Sequence, residues 1–150
     1  MFTKRLYFEN AYIKEFDARV LSCEEGKNGY EIVLDETAFF PEGGGQPADQ
    51  GYLEDGEVTD VRVKKNYVLH ICTKYLEPGT MVHGKLDWNR RFLHMQQHSG
   101  EHILSGIIHR THGYDNIGFH MGKDFVTVDF SGLLTEDEIA EAEKMANTVV

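Results

Sequence analysis

The sequence predicts an α+β protein in which a small β-barrel is followed by the first part of an antiparallel α+β domain. Turn residues separate short apolar segments at regular spacing up to about residue 89. A helical period then runs from Arg90 to Arg110. Two further strand-like segments and a helix start follow it. We therefore expect a barrel domain over residues 1–89 and a second domain over residues 90–150.

Six short strands are predicted in the first domain. Asn28-Gly29 and Asp55-Gly56 are dipeptides typical of two-residue hairpin turns, and the first favours a type I′ turn. Asn66 and Pro78-Gly79 mark two more turns. The predicted strands are residues 18–23, 30–34, 51–53, 58–63, 67–72 and 81–86. This many short strands without a long helix favours a small barrel or a strongly twisted sheet.

The helix predicted over residues 90–110 has two chemically different faces. The apolar face carries Phe92, Leu93, Ile103, Leu104 and Ile107, and the opposite face carries His94, His98, His102 and His109. Gly113 is typical of the residue just beyond a helix end. A face with this many histidines calls for an explanation, whereas His70 and His83 in strand-like segments are interpreted as ordinary polar positions.

The last part of the chain is predicted to hold two strands and a helix. The strands are residues 117–121 and 125–130, joined by a turn at 122–124. Thr135 and Glu138 have the spacing of a capping box, in which each side chain accepts from the other residue's backbone N–H. We expect this helix to be still running at Val150.

Composition excludes several classes of protein. A net charge of −10 argues against a general binder of polyanions, because nonspecific affinity for nucleic acid comes from neutralising phosphates. The two cysteines are too few for a disulfide framework, and no secretory signal or apolar segment of about 18 residues is present. We expect a reduced, cytoplasmic setting and no contact with a membrane. The oligomeric state stays open.

His98 and His102 form the first motif with chemical content. Positions i and i+4 lie on one face of a helix, so two imidazoles at this spacing can bind one metal ion, usually zinc. Surface histidines without a metal would give the same spacing. The segment also matches the inverted zinc-peptidase motif His-x-x-Glu-His, in which Glu101 would be the general base.

The second motif is a glycine-rich segment, residues 39–51, with the sequence FFPEGGGQPADQG. Gly43, Gly44 and Gly45 permit positive φ angles and close approach by another backbone or a ligand. No Gly-Lys-Ser/Thr follows, so the segment is not a phosphate-binding P-loop. Gln46 and Asp49, held between prolines and glycines, are candidate functional side chains.

Taken in order, these motifs make the chain resemble the editing domain of alanyl-tRNA synthetase, and most of all the freestanding alanyl-tRNA editing proteins. The resemblance extends from about residue 5 to residue 150. The segments that carry it are FFPEGGGQPADQG at 39–51, RFLHMQQHSGEHILS at 91–105, GFHMG at 118–122 and VTVDF at 126–130.

The resemblance implies a β-barrel that positions tRNA, followed by the first part of an editing domain. It implies a zinc-dependent trans-editing deacylase that hydrolyses Ser- or Gly-tRNA mischarged for alanine. Zinc would be held by His98, His102 and a later Cys-x-x-x-His pair, which has no counterpart within these 150 residues. Two of the expected ligands would therefore lie beyond residue 150, and we expect these residues alone to be inactive.

The resemblance also implies roles for residues outside the histidine pair. Gln46 and His120 are expected at the catalytic site, and Gly43, Gly44, Gly45, Arg90 and Arg91 are expected to contact the substrate or tRNA. Two alternatives stay open. One is a noncatalytic tRNA-binding or accessory module with an incomplete metal site, and the other is the inverted-motif zinc peptidase.

Overall fold

The computed structural model describes residues 1–150, which form two compact units. The first comprises Met1–Gly43 and Pro47–Arg91, and the second comprises Gly44–Gln46 and Phe92–Val150. Ten strands, two α-helices and a short 3-10 helix confirm the predicted α+β class. Neither α-helix combines the length and the apolar character that crossing a membrane requires.

The first unit is built from eight strands and the 3-10 helix Leu6–Phe8. The strands are β1 Lys4–Arg5, β2 Glu15–Gly26, β3 Gly29–Leu34, β4 Glu36–Thr37, β5 Gly51–Leu53, β6 Gly56–Lys64, β7 Tyr67–Cys72 and β8 Met81–Leu86. Six of them form a closed, antiparallel barrel in the order β2-β3-β7-β6-β5-β8, with β8 paired back to β2. The short strands β1 and β4 pair in parallel. Apolar side chains such as Val20, Ile32, Leu53, Val61 and Val68 fill the core of this unit.

The hairpin between β2 and β3 corrects one prediction. Its loop is Lys27-Asn28, and Asn28 lacks the positive φ angle that a type I′ turn requires, so that assignment is wrong. Gly29 lies within a strand and is needed for close packing. A Cβ at Gly29 would lie 2.6 Å from the carbonyl oxygen of Cys72, and one at Gly56 would lie 2.6 Å from the Cys72 sulfur.

His70 is a fully buried core residue and not the ordinary polar position that we predict from sequence. Its Nδ1 donates to the carbonyl of Ile32 at 3.1 Å, so its Nε2 accepts from the hydroxyl of Thr37 at 2.9 Å. Both ring nitrogens therefore have partners. Burial lowers the pKa of His70 from 6.5 to about 4 and keeps the ring neutral.

The second unit contains α1 Trp88–His112 from residue 92 onward, β9 Asn116–Met121, β10 Val126–Phe130 and α2 Glu136–Ala146. The two strands form an antiparallel pair. Ile107 and Ile108 of α1 pack with Ala142 of α2 to form the apolar core of this unit.

The predicted faces of α1 are partly wrong. Phe92 and Leu93, placed on the apolar face, are 41% and 51% exposed, whereas His94 is buried. His94, Glu101 and Ile108 are spaced by seven residues, or about two helical turns, and form one buried stripe. Apolar periodicity alone missed this stripe, because two of its three members are polar.

The helix α2 begins as predicted and ends earlier. The hydroxyl of Thr135 accepts from the backbone N–H of Glu138 at 3.3 Å, and the Glu138 carboxylate accepts from the Thr135 N–H at 2.8 Å, which confirms the capping box. The helix ends at Ala146, so the expectation that it continues to Val150 is wrong. Asn147 is the C-cap residue, and both its backbone N–H and its side-chain amide donate to the carbonyl of Glu143 at 3.0 Å. The N–H groups of Thr148 and Val149 bond to carbonyls only three residues back, as in the tight turn that often ends a helix.

Candidate metal centre

The end of the glycine-rich loop is fixed against strand β9. The carbonyl of Gly45 accepts from the backbone N–H of Met121 at 2.9 Å. Gly45 has a φ angle of 80°, and a Cβ there would lie 2.1 Å from the carbonyl oxygen of Phe119. Only glycine meets both conditions, so this residue determines where the next side chain, Gln46, is placed.

Gln46 lies only 5% exposed and bonds to the first histidine of the helical pair. The His98 Nδ1 lies 2.8 Å from the Gln46 Oε1. An amide oxygen only accepts, so the ring proton is on Nδ1 and the lone pair is on Nε2. The structure thus brings together two residues that belong to separate sequence motifs.

The second histidine stands beside the first. The rings of His98 and His102 are stacked, with centroids 5.0 Å apart and planes inclined by 19°. The ring of Phe119 lies 5.5 Å from that of His98. The two imidazoles therefore face the same side of α1, and His98 is confined between Gln46, His102 and Phe119.

Glu101 is buried beside the pair and is bonded to two donors. Its Oε1 accepts from the Ser105 hydroxyl and from the Asn116 side-chain amide, the latter at 2.6 Å. Its Oε2 lies 3.6 Å from the Nδ1 of His102. This arrangement is not that of a general base, which needs a carboxylate that can reach a water or substrate proton.

The chemistry of this group fits a metal such as zinc. In zinc sites a ligating imidazole commonly gives its second N–H to an oxygen acceptor, and His98 does so toward Gln46. Two nitrogens bound to one tetrahedral zinc lie about 3.4 Å apart. One ring nitrogen of His98, one ring nitrogen of His102 and one carboxylate oxygen of Glu101 lie within 4.8 Å of one another, so rotation of the two imidazoles can bring both to one ion.

The other predicted site residues on the loop and on β9 are His120, Gly43 and Gly44, and all three are exposed. Because successive strand side chains point to opposite faces, His120 lies on the face opposite to Phe119. Gly43 and Gly44 are exposed, and a Cβ on either would meet nothing within 4 Å. Their backbone is therefore accessible to a ligand.

The two arginines have partners within the barrel unit. Arg91 is 3% exposed, and its guanidinium forms a buried ion pair with Asp49. It also donates to the carbonyls of Ala11 at 2.9 Å and Ala38 at 2.5 Å. Arg90 donates to the carbonyl of Ala48 at 3.2 and 3.3 Å. Arg91 is therefore a structural residue here, with no exposed surface for a tRNA phosphate.

The partners of Glu101 are not predicted from the sequence. Ser105 follows Glu101 at the i+4 spacing that permits contact on a helix, so this half of the cluster had a signal. Asn116 lies on β9, beyond the end of the helix, and no local pattern links it to Glu101. Asp49 had a signal in the glycine-rich segment, but its partner Arg91 is 42 residues away.

Comparison with known proteins shows the family to which this chain belongs. The family model described as tRNA synthetases class II (A) matches residues 7–90. The chain belongs to this family, and within it to the alanyl-tRNA synthetase editing-domain group.

Individual relatives agree with this assignment. The chain is 43% identical to an alanine–tRNA ligase of Thermococcus kodakarensis, over 99% of this chain and 17% of the relative. It is 33% identical to the alanyl-tRNA editing protein AlaX-L of Pyrococcus horikoshii, over 98% of this chain and 38% of the relative. It is 38% identical to the alanyl-tRNA editing protein AlaX-M of Methanosarcina acetivorans, over 99% of this chain and 65% of the relative. The chain thus spans between about a sixth and two thirds of the length of these relatives.

Proposed function

We propose that this chain provides the barrel and half of the metal site of a zinc-dependent trans-editing deacylase. Its substrates would be tRNA molecules for alanine that carry serine or glycine. The observation that carries the proposal is the 2.8 Å hydrogen bond from His98 to Gln46, which leaves the His98 Nε2 with a lone pair beside the stacked ring of His102. Two relatives are alanyl-tRNA editing proteins, which supports the class of reaction.

His98 and His102 would hold the zinc through their Nε2 atoms, and two further ligands would come from a Cys-x-x-x-His pair outside these 150 residues. When bound, the ion would lower the pKa of a water molecule or anchor the amino group of the substrate. Gln46 holds the His98 ring in its ligating tautomer. The accessible backbone of Gly43 and Gly44 would contact the aminoacyl end of the tRNA.

The substrate preference would follow from hydrogen bonding. A site that bonds the serine hydroxyl leaves buried polar groups unpaired when alanine binds instead, and this difference can give large discrimination. Correctly charged alanyl-tRNA would therefore be spared. The aminoacyl bond is an ester, so the enzyme needs to place a water molecule at a carbonyl that is already labile.

The structure disfavours the peptidase alternative. That mechanism needs Glu101 as a base beside the metal-bound water, whereas the Glu101 carboxylate is buried and bonded to Ser105 and Asn116. The other alternative is a noncatalytic tRNA-binding module, which would have the same fold but no deacylase activity. Activity measurements distinguish it from the deacylase.

The test is deacylation of seryl-tRNA for alanine by the full-length gene product that contains these residues. We expect hydrolysis by the wild-type protein, and loss of at least about 100-fold in rate for His98→Ala, since a metal ligand is removed. His83→Ala is the matched control, because His83 is an exposed barrel histidine. Normal turnover of His98→Ala would refute the metal mechanism, and no turnover by the wild type would favour the noncatalytic module.

A further inference from the structure

Glu101 has a buried carboxylate that accepts hydrogen bonds from two side chains. Its side chain is 4% exposed, whereas that of the adjacent His102 is 72% exposed. A carboxylate at this depth is tolerated only when donors compensate for the lost water. The two donors, Ser105 and Asn116, both act on Oε1 and leave Oε2 directed toward His102.

The direction of these hydrogen bonds is fixed by a backbone group. The N–H of Gly118 donates to the Asn116 Oδ1 at 3.0 Å. Because a backbone N–H can only donate, the oxygen of the Asn116 amide must face Gly118 and its NH2 must face Glu101. The same NH2 lies 3.2 Å from the Ser105 hydroxyl. An acceptor is therefore required at the Oε1 position of residue 101.

The second carboxylate oxygen acts on the second histidine. Oε2 lies 3.6 Å from the Nδ1 of His102, a separation at which its charge, not a formed hydrogen bond, acts on the ring. A negative oxygen favours the N–H at Nδ1 and the lone pair at Nε2. The amide oxygen of Gln46 has the same effect on His98. Each imidazole thus has an oxygen at Nδ1.

We propose that Glu101, held by Ser105 and Asn116, is the positioning residue that sets the tautomer of His102 and leaves its Nε2 lone pair available for ligation. Glu101 is then neither a base nor a metal ligand. The ligating role rests on the proposed function, but the tautomer is a property of the metal-free chain and can be measured without zinc or tRNA.

Glu101→Gln tests the proposal with little change in shape. Asn116 still requires an acceptor, so the new amide turns its oxygen to Asn116 and its NH2 to His102. The positive end of this amide then lies beside the His102 Nδ1 and favours a lone pair there, which shifts the ring proton to Nε2 and removes the ligating lone pair. We expect 1H–15N spectra of the metal-free chain at pH 8 to show more Nδ1–H tautomer for His102 in the wild type than in Glu101→Gln.

Zinc titration of the same proteins gives a second readout. We expect the Kd for Zn²⁺ to rise by roughly 10- to 100-fold in Glu101→Gln, as for other oriented metal ligands. Glu24→Gln, at an exposed strand position, removes the same charge and should change neither readout.

Two results would overturn the proposal. One is a His102 tautomer ratio that is the same in both proteins. If Zn²⁺ binding weakens in Glu101→Gln while that ratio is unchanged, the proposal is also overturned, because this combination indicates that Glu101 binds the metal directly. The other is a wild-type His102 that is predominantly Nε2–H, which decides the question even if Glu101→Gln does not fold. Absence of deacylation would count against the proposed function and leave the tautomer result unaffected.

Discussion

Replacing each of the three loop glycines with alanine adds one methyl group to the loop and tests the geometry of the candidate site. Gly43 has open space around it, so Gly43→Ala should change the free energy of unfolding by less than about 0.5 kcal/mol. Gly44 also has open space but a φ angle of 59°, so Gly44→Ala should cost about 1–2 kcal/mol of left-handed strain. Each of the three substitutions also lowers the conformational entropy of the unfolded chain by a similar amount, so this effect cancels when the variants are compared with one another.

Gly45→Ala should be the most damaging of the series. It carries the same strain at a φ angle of 80°, and its Cβ would lie 2.1 Å from a backbone oxygen of Phe119 that cannot rotate away. The loop must then leave β9 and lose the 2.9 Å bond between Gly45 and Met121, which adds about 1 kcal/mol. We expect a total of about 2–3 kcal/mol and the loss of the Gln46 bond to His98.

The assay for this series is urea unfolding combined with the 15N spectrum of His98. The free energy of unfolding should decrease in the order Gly43→Ala, Gly44→Ala, Gly45→Ala. Only Gly45→Ala should change the tautomer of His98. A Gly45→Ala protein that is as stable as Gly43→Ala and keeps the wild-type His98 signal would refute the placement of this loop.

Three further predictions concern the buried groups and the metal. The pKa of His70 is depressed, so the unfolded chain binds a proton that the folded chain does not; the resulting stability is complete above pH 6.5 and is lost as pH falls toward 4. We expect the free energy of unfolding to fall by about 2 kcal/mol between pH 7.5 and 5 in the wild type relative to His70→Gln, and equal pH dependence of the two proteins would contradict this. Asp49→Asn leaves the Arg91 charge buried without its counter-ion and should cost about 3–5 kcal/mol in urea unfolding; a loss below about 1 kcal/mol would show that the pair is not needed. Calorimetric titration should show weak Zn²⁺ binding by the 150 residues alone, since two imidazoles leave a tetrahedral site half filled, and a nanomolar Kd would argue against ligands outside them.

The barrel could be predicted from sequence because its signals are local. Turn dipeptides and alternating apolar residues located strands such as β7 and β8 at the observed bounds, Tyr67–Cys72 and Met81–Leu86. The turn at Asn28 was misjudged for a nonlocal reason. Gly29 is required by the close approach of Cys72 on a neighbouring strand, and no pattern around residue 29 reports that contact.

The histidine pair of the candidate site could be predicted from sequence, whereas the residues that contact it could not. The spacing of His98 and His102 is a local property of one helix, and the glycine-rich loop has a distinctive composition. The bond between Gln46 and His98 joins residues 52 positions apart, and the Asn116 contact with Glu101 joins a strand to a helix. Sequence periodicity also placed His94 on the face of α1 opposite the apolar residues, whereas the structure buries it in one stripe with Glu101 and Ile108.

Zinc stoichiometry tests the central claim most directly. The full-length gene product that contains these residues would be purified without chelators, and its metal content measured by mass spectrometry. Wild-type protein should hold one zinc ion per chain, and the folded double variant His98→Ala/His102→Ala should hold none. Equal zinc content in the two proteins would contradict the assignment of these histidines as metal ligands.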